Sequence, residues 1–170
     1  MSEFVCEILG EQHERRGFTC GAEALDRYLI QQAGQDQRRH AAQVYVLCRS
    51  ESPARIAGFF TLSAASVQLD ELPQETRRKL PRYPHLPAIL IGRLAVDLNR
   101  QRCGVGGLLL AEAMKRCVQL SKQLGAAVIV VDAKDERAAD FYARFGFKKI
   151  ARLTGGLFLP IASVAEQLGH

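Results

Sequence analysis

The chain has 170 residues, of which 48% are hydrophobic and 24% are charged, values typical of one soluble globular domain. Its longest apolar runs, around Leu90 and Val130, are too short to cross a bilayer, and residues 1–4 lack the basic and apolar regions of a signal peptide, so we expect a cytoplasmic protein without a membrane segment. The formal net charge of +5 suits a polyanionic partner.

Secondary structure can be predicted from apolar periodicity, from turn residues and from helix-ending glycines. Apolar residues at spacings of three and four predict helices, and short apolar runs between polar turns predict strands. The predicted elements are a strand over 4–9, a helix over 22–33 that continues into polar residues up to 40, strands over 44–47 and 56–62 joined by a turn at 50–53, a helical turn over 76–80, a strand over 89–96, a helix over 105–124, a strand over 126–131, a helix over 136–145, a hairpin of 148–153 with 157–161, and a closing helix over 162–168.

The stretch from Ala88 to Leu124 organises the chain. It joins a core strand to an amphipathic helix through a short loop that carries basic residues and three glycines, Gly104, Gly106 and Gly107. A glycine-rich turn at a helix N-terminus predicts an anion-binding loop, because free backbone N–H groups and the helix dipole attract phosphate. The alternative is a tight strand–helix turn without a ligand.

Cysteine usage argues against a metal centre. The five cysteines are scattered and form no C-x-x-C pair, which indicates reduced thiols rather than a disulfide framework or a zinc site. Cys103 lies in the glycine loop, but no histidine is near it in sequence, and we interpret its thiol as structural. We expect no bound metal.

Two motifs carry a family resemblance. The spacing Gln101-x-x-Gly104-x-Gly106 fits neither a P-loop nor a dinucleotide fingerprint. It resembles the Gln/Arg-x-x-Gly-x-Gly/Ala signature of the GNAT N-acetyltransferases, and Tyr142 with Gly146 and Phe147 resembles the block that follows the fifth strand of that family. The resemblance implies a mixed α/β fold, namely a single GNAT-like domain over 1–170 with a central, mostly antiparallel twisted sheet flanked by helices.

The resemblance also implies a donor site and a general acid. In the family acetyl-CoA is the co-substrate, its pantetheine arm lies along the central strand and its pyrophosphate lies on the amides of the glycine loop. Tyr142 matches the tyrosine that protonates the leaving thiolate, and its alternative is a core tyrosine. The cofactor-binding residues implied are Leu94, Ala95, Val96, Gln101, Arg102, Cys103, Gly104, Val105, Gly106 and Gly107.

A general base is not evident in the sequence. Many GNAT enzymes carry a glutamate on the central strand, whereas residues 89–96 here contain no carboxylate and Asp97 lies at their end. His40 and His85 are candidate bases, although a lone histidine is more often an ordinary surface or core residue. An α-amine with a pKa near 8 is already partly neutral at pH 7, so an α-amine acceptor does not require a dedicated base.

Basic clusters point to a polyanionic acceptor, although any single cluster is more often a solvated face. Segments 18–21, 25–29, 58–62, 80–84 and 92–97 resemble the GNAT toxins of bacterial toxin–antitoxin modules, which acetylate the α-amine of aminoacyl-tRNA and pair with a ribbon-helix-helix antitoxin. The tRNA-binding residues predicted on this reading are Arg38, Arg39, Arg77, Arg78 and Lys79.

Three functions remain open from the sequence. The first is a tRNA-directed toxin acetyltransferase. The second is an N-acetyltransferase of a small amine or a protein N-terminus. The third is a non-catalytic module that binds CoA or nucleic acid, against which the presence of both the glycine loop and Tyr142 argues. The sequence does not decide the oligomeric state, and a homodimer is one option.

Overall fold

The computed structural model describes residues 3–101, 104–151 and 155–169. Strands and helices alternate along these residues, with short 3-10 turns at 69–71 and 98–100. The elements are β1 (Phe4–Ile8), α1 (Glu23–Arg27), a π-helical segment (Tyr28–Gln32), α2 (Ala33–Arg38), β2 (Gln43–Arg49), β3 (Ser52–Gln68), α3 (Gln74–Arg77), β4 (His85–Val96), α4 (Val105–Leu124), β5 (Val128–Asp132), α5 (Glu136–Ala143), β6 (Lys148–Lys149), β7 (Gly156–Pro160) and α6 (Ile161–Gln167).

The described strands form one seven-stranded sheet in the order β1, β2, β3, β4, β5, β7, β6. Pairings of β1 with β2, β2 with β3, β5 with β7 and β6 with β7 are antiparallel, and β4 pairs with β5 in parallel. The sheet is therefore mostly antiparallel and the fold is mixed α/β, as predicted.

The chain divides into two compact units, and the first comprises Met1–Ser63 and Gly92–Ala113. Its core is built around Phe59, which is fully buried and contacts Phe18 edge-on and the ring of Tyr28 in a stack. Leu29 and Ala33, four residues apart, are also fully buried and belong to the same core cluster as Tyr28. Apolar burial at helical spacing thus fixes the helical run against its strands.

The second unit comprises Ala64–Ile91 and Met114–His170. Its core cluster includes Leu86, Val128 and Phe158, each of which is completely buried. Strand β5 is paired on both sides, by β4 and by β7, which explains its continuous apolar sequence. The prediction of a single domain over 1–170 stays a prediction.

Several predicted boundaries are wrong. Strand β3 does not end at Leu62, because residues 63–68 continue it with alternating burial that leaves Val67 inside. The helix predicted over 22–33, with a polar continuation up to residue 40, is present as α1, the π-helical segment and α2, which ends at Arg38. Leu124, predicted on the buried face of α4, is 82% exposed at the helix end. Residues 152–154 of the predicted terminal hairpin lie outside the described residues.

The described part of the chain contains four free thiols. Cys6, Cys20, Cys48 and Cys117 are free thiols, and burial raises the pKa of Cys48 to about 11 and that of Cys117 to about 12. These two thiols stay protonated at neutral pH. No helix among the described residues is long and apolar enough to cross a membrane.

Candidate functional site

The segment after β4 begins with a buried carboxylate. Asp97 is only 4% exposed, and its Oδ1 accepts a hydrogen bond from the Asn99 N–H at 3.0 Å. Its Oδ2 accepts from the Thr19 N–H at 3.3 Å, and the Leu98 N–H donates to the Thr19 carbonyl at 2.8 Å. Asp97 therefore joins the end of β4 to the segment before α1, which accounts for its burial without a catalytic role.

Gln101, the first residue of the glycine-loop motif, is held by two backbone carbonyls. Its Nε2 donates to the carbonyl of Cys20 and to the carbonyl of Val96, each at 2.9 Å. Both donor hydrogens of the amide are used in this way. The Gln101 side chain thus joins the loop to Cys20, and only the Gln101 backbone remains as a candidate ligand group.

The loop then enters α4 through a left-handed glycine. Gly104 has a φ of +79°, and no atom lies within 4 Å of a Cβ placed on it, so conformation rather than space requires glycine there. The Leu108 N–H donates to the Gly104 carbonyl and begins the helical hydrogen bonding. The N–H groups of residues 105–107 have no acceptor within the helix, as is usual in the first turn of a helix. Arg102 and Cys103 lie outside the described residues.

The strand segment predicted to bind pantetheine is Leu94–Val96. Ala95 is buried in the core of the first unit, and its neighbours on either side are half-buried. A Cβ added to Gly58 would lie 3.1 Å from the Ala95 carbonyl oxygen and 3.1 Å from a methyl of Leu109. Gly58 therefore leaves room for the Ala95 carbonyl of the neighbouring strand and for the Leu109 side chain.

The ladder between β4 and β5 is short. It pairs Ala88 with Val128 and ends where Ile91 pairs with Val131, well before β4 ends at Val96. The later residues of β4 therefore keep backbone groups outside this ladder. Such groups can bind an extended ligand or face a thioester carbonyl.

Tyr142 lies on α5, whose N-terminus is capped by Asp135 through a 2.8 Å bond from the Ala138 N–H. The ring is 8% exposed and packs edge-on against Phe141 and Phe147. Burial, with a smaller contribution from the Asp132 carboxylate, raises the pKa of Tyr142 to about 12. The hydroxyl is consequently protonated at neutral pH, as a general acid requires.

One of the predicted basic residues of the second unit, Arg77, lines a groove. Arg77 is half-buried at the end of α3, and Arg78 and Lys79 are exposed. His85, a candidate base, lies at the same groove as Arg77. This groove has a volume of about 400 Å³ and is lined by Gln68, Leu69, Asp70, Arg77, Pro84 and His85.

The first-unit basic residues lie at a helix end. Arg38 is the last residue of α2 and Arg39 is its C-cap, and both are exposed. His40 has a φ of 61° and follows the helix, and the Ala41 N–H then donates to the Asp36 carbonyl at 2.8 Å. His40 is therefore in the position where a helix commonly ends with a left-handed residue.

One cluster in the first unit was missed by the sequence analysis. The guanidinium carbon of Arg93 lies 3.7 Å from the centroid of the Tyr28 ring. The Tyr28 hydroxyl donates to Asp36 Oδ2 at 2.7 Å, and Gln32 donates to Oδ1 at 3.0 Å. The three helical residues are spaced by four, which is a signal in the sequence, but the partner on β4 is not. These hydrogen bonds lower the pKa of Asp36, and burial raises that of Tyr28 well above its usual value.

Comparison with known proteins agrees with these features. A family model described as "Acetyltransferase (GNAT) domain" matches residues 40–149. A curated relative, the tRNA-acetylating toxin of Mycobacterium tuberculosis (strain ATCC 25618 / H37Rv), is 36% identical over 131 residues, which are 77% of this chain and 76% of the relative.

Two solved structures are similar over nearly their full length. The toxin AtaT complexed with acetyl-methionyl-tRNAfMet has a TM-score of 0.89 at 30% identity and covers 98% of this chain and 99% of its own. A tyrosine-to-phenylalanine mutant of AtaT, bound to the C-terminus of the antitoxin AtaR and to acetyl-CoA, has a TM-score of 0.82 at 26% identity and covers 99% and 100%. The chain belongs to the GNAT acetyltransferase family and is an N-acetyltransferase.

Proposed function

We propose that this protein is a toxin that transfers the acetyl group of acetyl-CoA to the α-amine of aminoacyl-tRNA and thereby blocks translation. The observation that carries the proposal is the similarity over 98% of the chain to a toxin complexed with acetylated aminoacyl-tRNA. The net charge of +5 is consistent with a nucleic-acid acceptor.

Acetyl-CoA is the co-substrate. We assign its pyrophosphate to the backbone N–H groups of residues 101–107, whose glycine φ and helix N-terminus suit a phosphate. We assign its pantetheine arm to the backbone of Leu94, Ala95 and Val96, where β4 has passed the end of its ladder with β5. The Gln101 amide contributes indirectly, since it fixes the start of the loop.

The acceptor amine attacks the thioester carbonyl as a neutral nucleophile. Backbone N–H groups of β4 stabilise the oxyanion that develops on the carbonyl oxygen. The carbon–sulfur bond then breaks, and Tyr142, which its raised pKa keeps protonated at neutral pH, donates its proton to the leaving thiolate. The attacking nitrogen releases one proton to water as the amide forms, and a proton from water restores the phenol. The α-amine of an aminoacyl ester is partly neutral at pH 7, so the mechanism needs no carboxylate base on β4.

The acceptor end of the proposal rests on charge. Arg38 and Arg39 after α2, and Arg77, Arg78 and Lys79 around α3, are the residues that we assign to tRNA phosphates. The groove beside Arg77 offers a concave surface for such a contact. Charged tRNA is a cytoplasmic substrate, and the proposal therefore places the protein in the cytoplasm.

The partner of the free toxin would be an antitoxin. AtaT was solved with the C-terminus of AtaR, and we propose that this chain likewise pairs with an antitoxin, of the ribbon-helix-helix type. We further propose a homodimer as the toxin's own assembly. Co-expression with a ribbon-helix-helix protein encoded next to this chain, followed by size-exclusion chromatography with light scattering, tests both assignments.

Translation provides the functional test. Expression of the wild-type chain should arrest growth. The purified protein with acetyl-CoA should stop a cell-free translation reaction that is supplied with charged tRNA. The variant Tyr142→Phe should do neither. Unimpaired translation at a saturating concentration of acetyl-CoA, together with acetylation of polyamines, free amino acids or protein N-termini, would contradict the proposal. It would instead support acetylation of a small amine or a protein N-terminus.

A further inference from the structure

We propose that Arg93 binds the phosphodiester nearest the aminoacyl ester of the acceptor and thereby selects aminoacyl-tRNA over phosphate-free amines; this inference rests on the function proposed above. Arg93 lies on β4 directly before Leu94, where the segment assigned to the pantetheine arm begins. A side chain at this position lies next to the place where acetyl transfer would occur. Any oxyanion that it binds would belong to a group close to the acceptor amine.

The Arg93 side chain is held in place from one side. Its guanidinium lies over the Tyr28 ring at 3.7 Å, which is van der Waals contact. Tyr28 is 7% exposed, and its hydroxyl is fixed by Asp36 at 2.7 Å. The tyrosine begins the π-helical segment Tyr28–Gln32, a type of helix irregularity that is frequent at functional sites.

The hydrogen-bond donors of Arg93 are not used by the part of the chain that the structure describes. Within those residues no carboxylate oxygen lies within 4.0 Å of its guanidinium, and no hydrogen bond from it is formed. Asp36 is nearby, but both its oxygens already accept bonds from Tyr28 and Gln32. A guanidinium that lies over a ring has its N–H groups in its own plane, and the edge of that plane is suited to bidentate binding of an oxyanion.

Arg27 shows what a satisfied arginine looks like in the same unit. Its Nη2 lies 2.9 Å from the Glu23 carboxylate one helical turn away, and both side chains are largely exposed. Arg27 is therefore a surface ion pair of little energetic consequence. It provides a matched control, because its replacement removes the same charge from a neighbouring position.

The chemistry of the position favours an anionic acceptor. A cation beside the pantetheine segment would repel a polyamine and attract a carboxylate or a phosphate. A free amino acid would offer its α-carboxylate, whereas an aminoacyl ester has lost that charge and offers its neighbouring phosphodiester. The exposed basic residues at α2 and α3 favour the phosphodiester, because one carboxylate would not need them.

The test uses the full chain and three acceptors that carry the same amino acid. These are the free amino acid, its ester on adenosine, and its ester on a cytidylyl-adenosine dinucleotide, which adds one phosphodiester. The wild-type kcat/KM should be about ten-fold or more higher for the dinucleotide ester than for the adenosine ester, as expected of one charge-assisted contact. Arg93→Gln should reduce this ratio to near one, and Arg27→Gln should leave it as in wild type.

The ratio is measured within each variant, so a partly inactive preparation does not affect it. Tyr28→Phe retains the ring and should keep most of the ratio, whereas Tyr28→Leu removes the stack and should lose much of it, which separates positioning from a general folding defect. An equal ratio in wild type and Arg93→Gln, or acetylation of the free amino acid that depends on Arg93, would overturn the inference. If the wild-type enzyme acetylates a simple amine but neither of the two esters nor intact charged tRNA, the proposed function itself fails.

Discussion

At the scale of single residues, the proposed mechanism depends on Tyr142, whose hydroxyl donates the proton to the leaving thiolate. Its identity as a candidate acid could be predicted from the sequence block around Gly146. Its environment could not, since the contacts with Phe147 and the field of Asp132 arise only in the folded second unit. The environment of Arg93 could not be predicted either, because its partner Tyr28 lies on a helix that is distant in sequence.

Replacement of the hydroxyl gives the first prediction. Tyr142→Phe should lower kcat by about 100-fold or more, while the Kd for acetyl-CoA changes by less than about two-fold, because the buried ring and its packing are retained. Calorimetry of acetyl-CoA binding and single-turnover kinetics measure the two quantities. Full turnover in the variant, at a pH where chemistry limits the rate, would identify Tyr142 as a packing residue.

The raised pKa of Tyr142 gives a second prediction. The ordinary phenol pKa is near 10, and the pKa of Tyr142 is about 12. The Tyr142 hydroxyl therefore stays protonated below pH 10. Its contribution to the stability of the fold is complete there and is lost only as the pH rises toward 12. With an α-amine acceptor, kcat should therefore rise or stay level from pH 8 to 10. Circular dichroism at each pH checks that the fold is retained, and a fall in kcat with a midpoint near 10 in folded protein would contradict the assignment.

At the scale of elements, the periodicity of the sequence predicted the order of strands and helices but not all their limits. Strand β3 continues beyond Leu62 because Ala65 and Val67 alternate inward among polar residues, a pattern weaker than the apolar run before it. The π-helical segment has no sequence signature. The contact between Gln101 and Cys20 joins residues 81 positions apart, so no local pattern could reveal it.

The loop closure gives a third prediction. In Gln101→Glu a carboxylate would face the carbonyls of Cys20 and Val96 and could not donate to them, so the loop should lose its fixed start. The Kd for acetyl-CoA should rise about ten-fold, with a smaller change in kcat at saturation. Gln123→Glu makes the same change on an exposed position of α4 and is the control; equal affinities in the two variants would show that the closure does not matter.

Gly104 gives a related prediction on the same loop. Gly104→Asp places a side chain at a φ of +79° and a negative charge where phosphate is assigned. Binding of acetyl-CoA should fall by at least ten-fold. Because nothing lies within 4 Å of the added Cβ, thermal unfolding should show a folded variant with a modestly lower Tm. Unchanged affinity for acetyl-CoA in that folded variant would show that the pyrophosphate does not bind at this loop.

At the scale of the whole molecule, charge is the property that separates a nucleic-acid acceptor from a small amine. The net charge of +5 is visible in the sequence, and so are the clusters that carry it. The sequence did not reveal that Arg77 borders a groove with His85, because the two residues are joined by a turn and a strand start whose geometry depends on the core around Leu72 and Leu86.

Salt dependence measures the phosphate contacts. The affinity for charged tRNA should fall linearly with salt in a log–log plot, and replacing Arg77, Arg78 and Lys79 by alanine should flatten the slope by roughly two to three units if each contacts a phosphate. Acetyl-CoA affinity, measured at the same salt concentrations, controls for damage to the donor site. A slope equal to that of wild type would show that these three residues do not contact tRNA phosphates.

The most direct test of the central claim is to mix the purified protein with acetyl-CoA and a full set of charged tRNAs, digest the tRNAs with a nuclease, and weigh the released aminoacyl-adenosines. The account predicts that at least one aminoacyl-adenosine gains the mass of a single acetyl group on its α-amine, and that Tyr142→Phe abolishes the gain. Unmodified aminoacyl-adenosines from a preparation that readily acetylates free amines would contradict it.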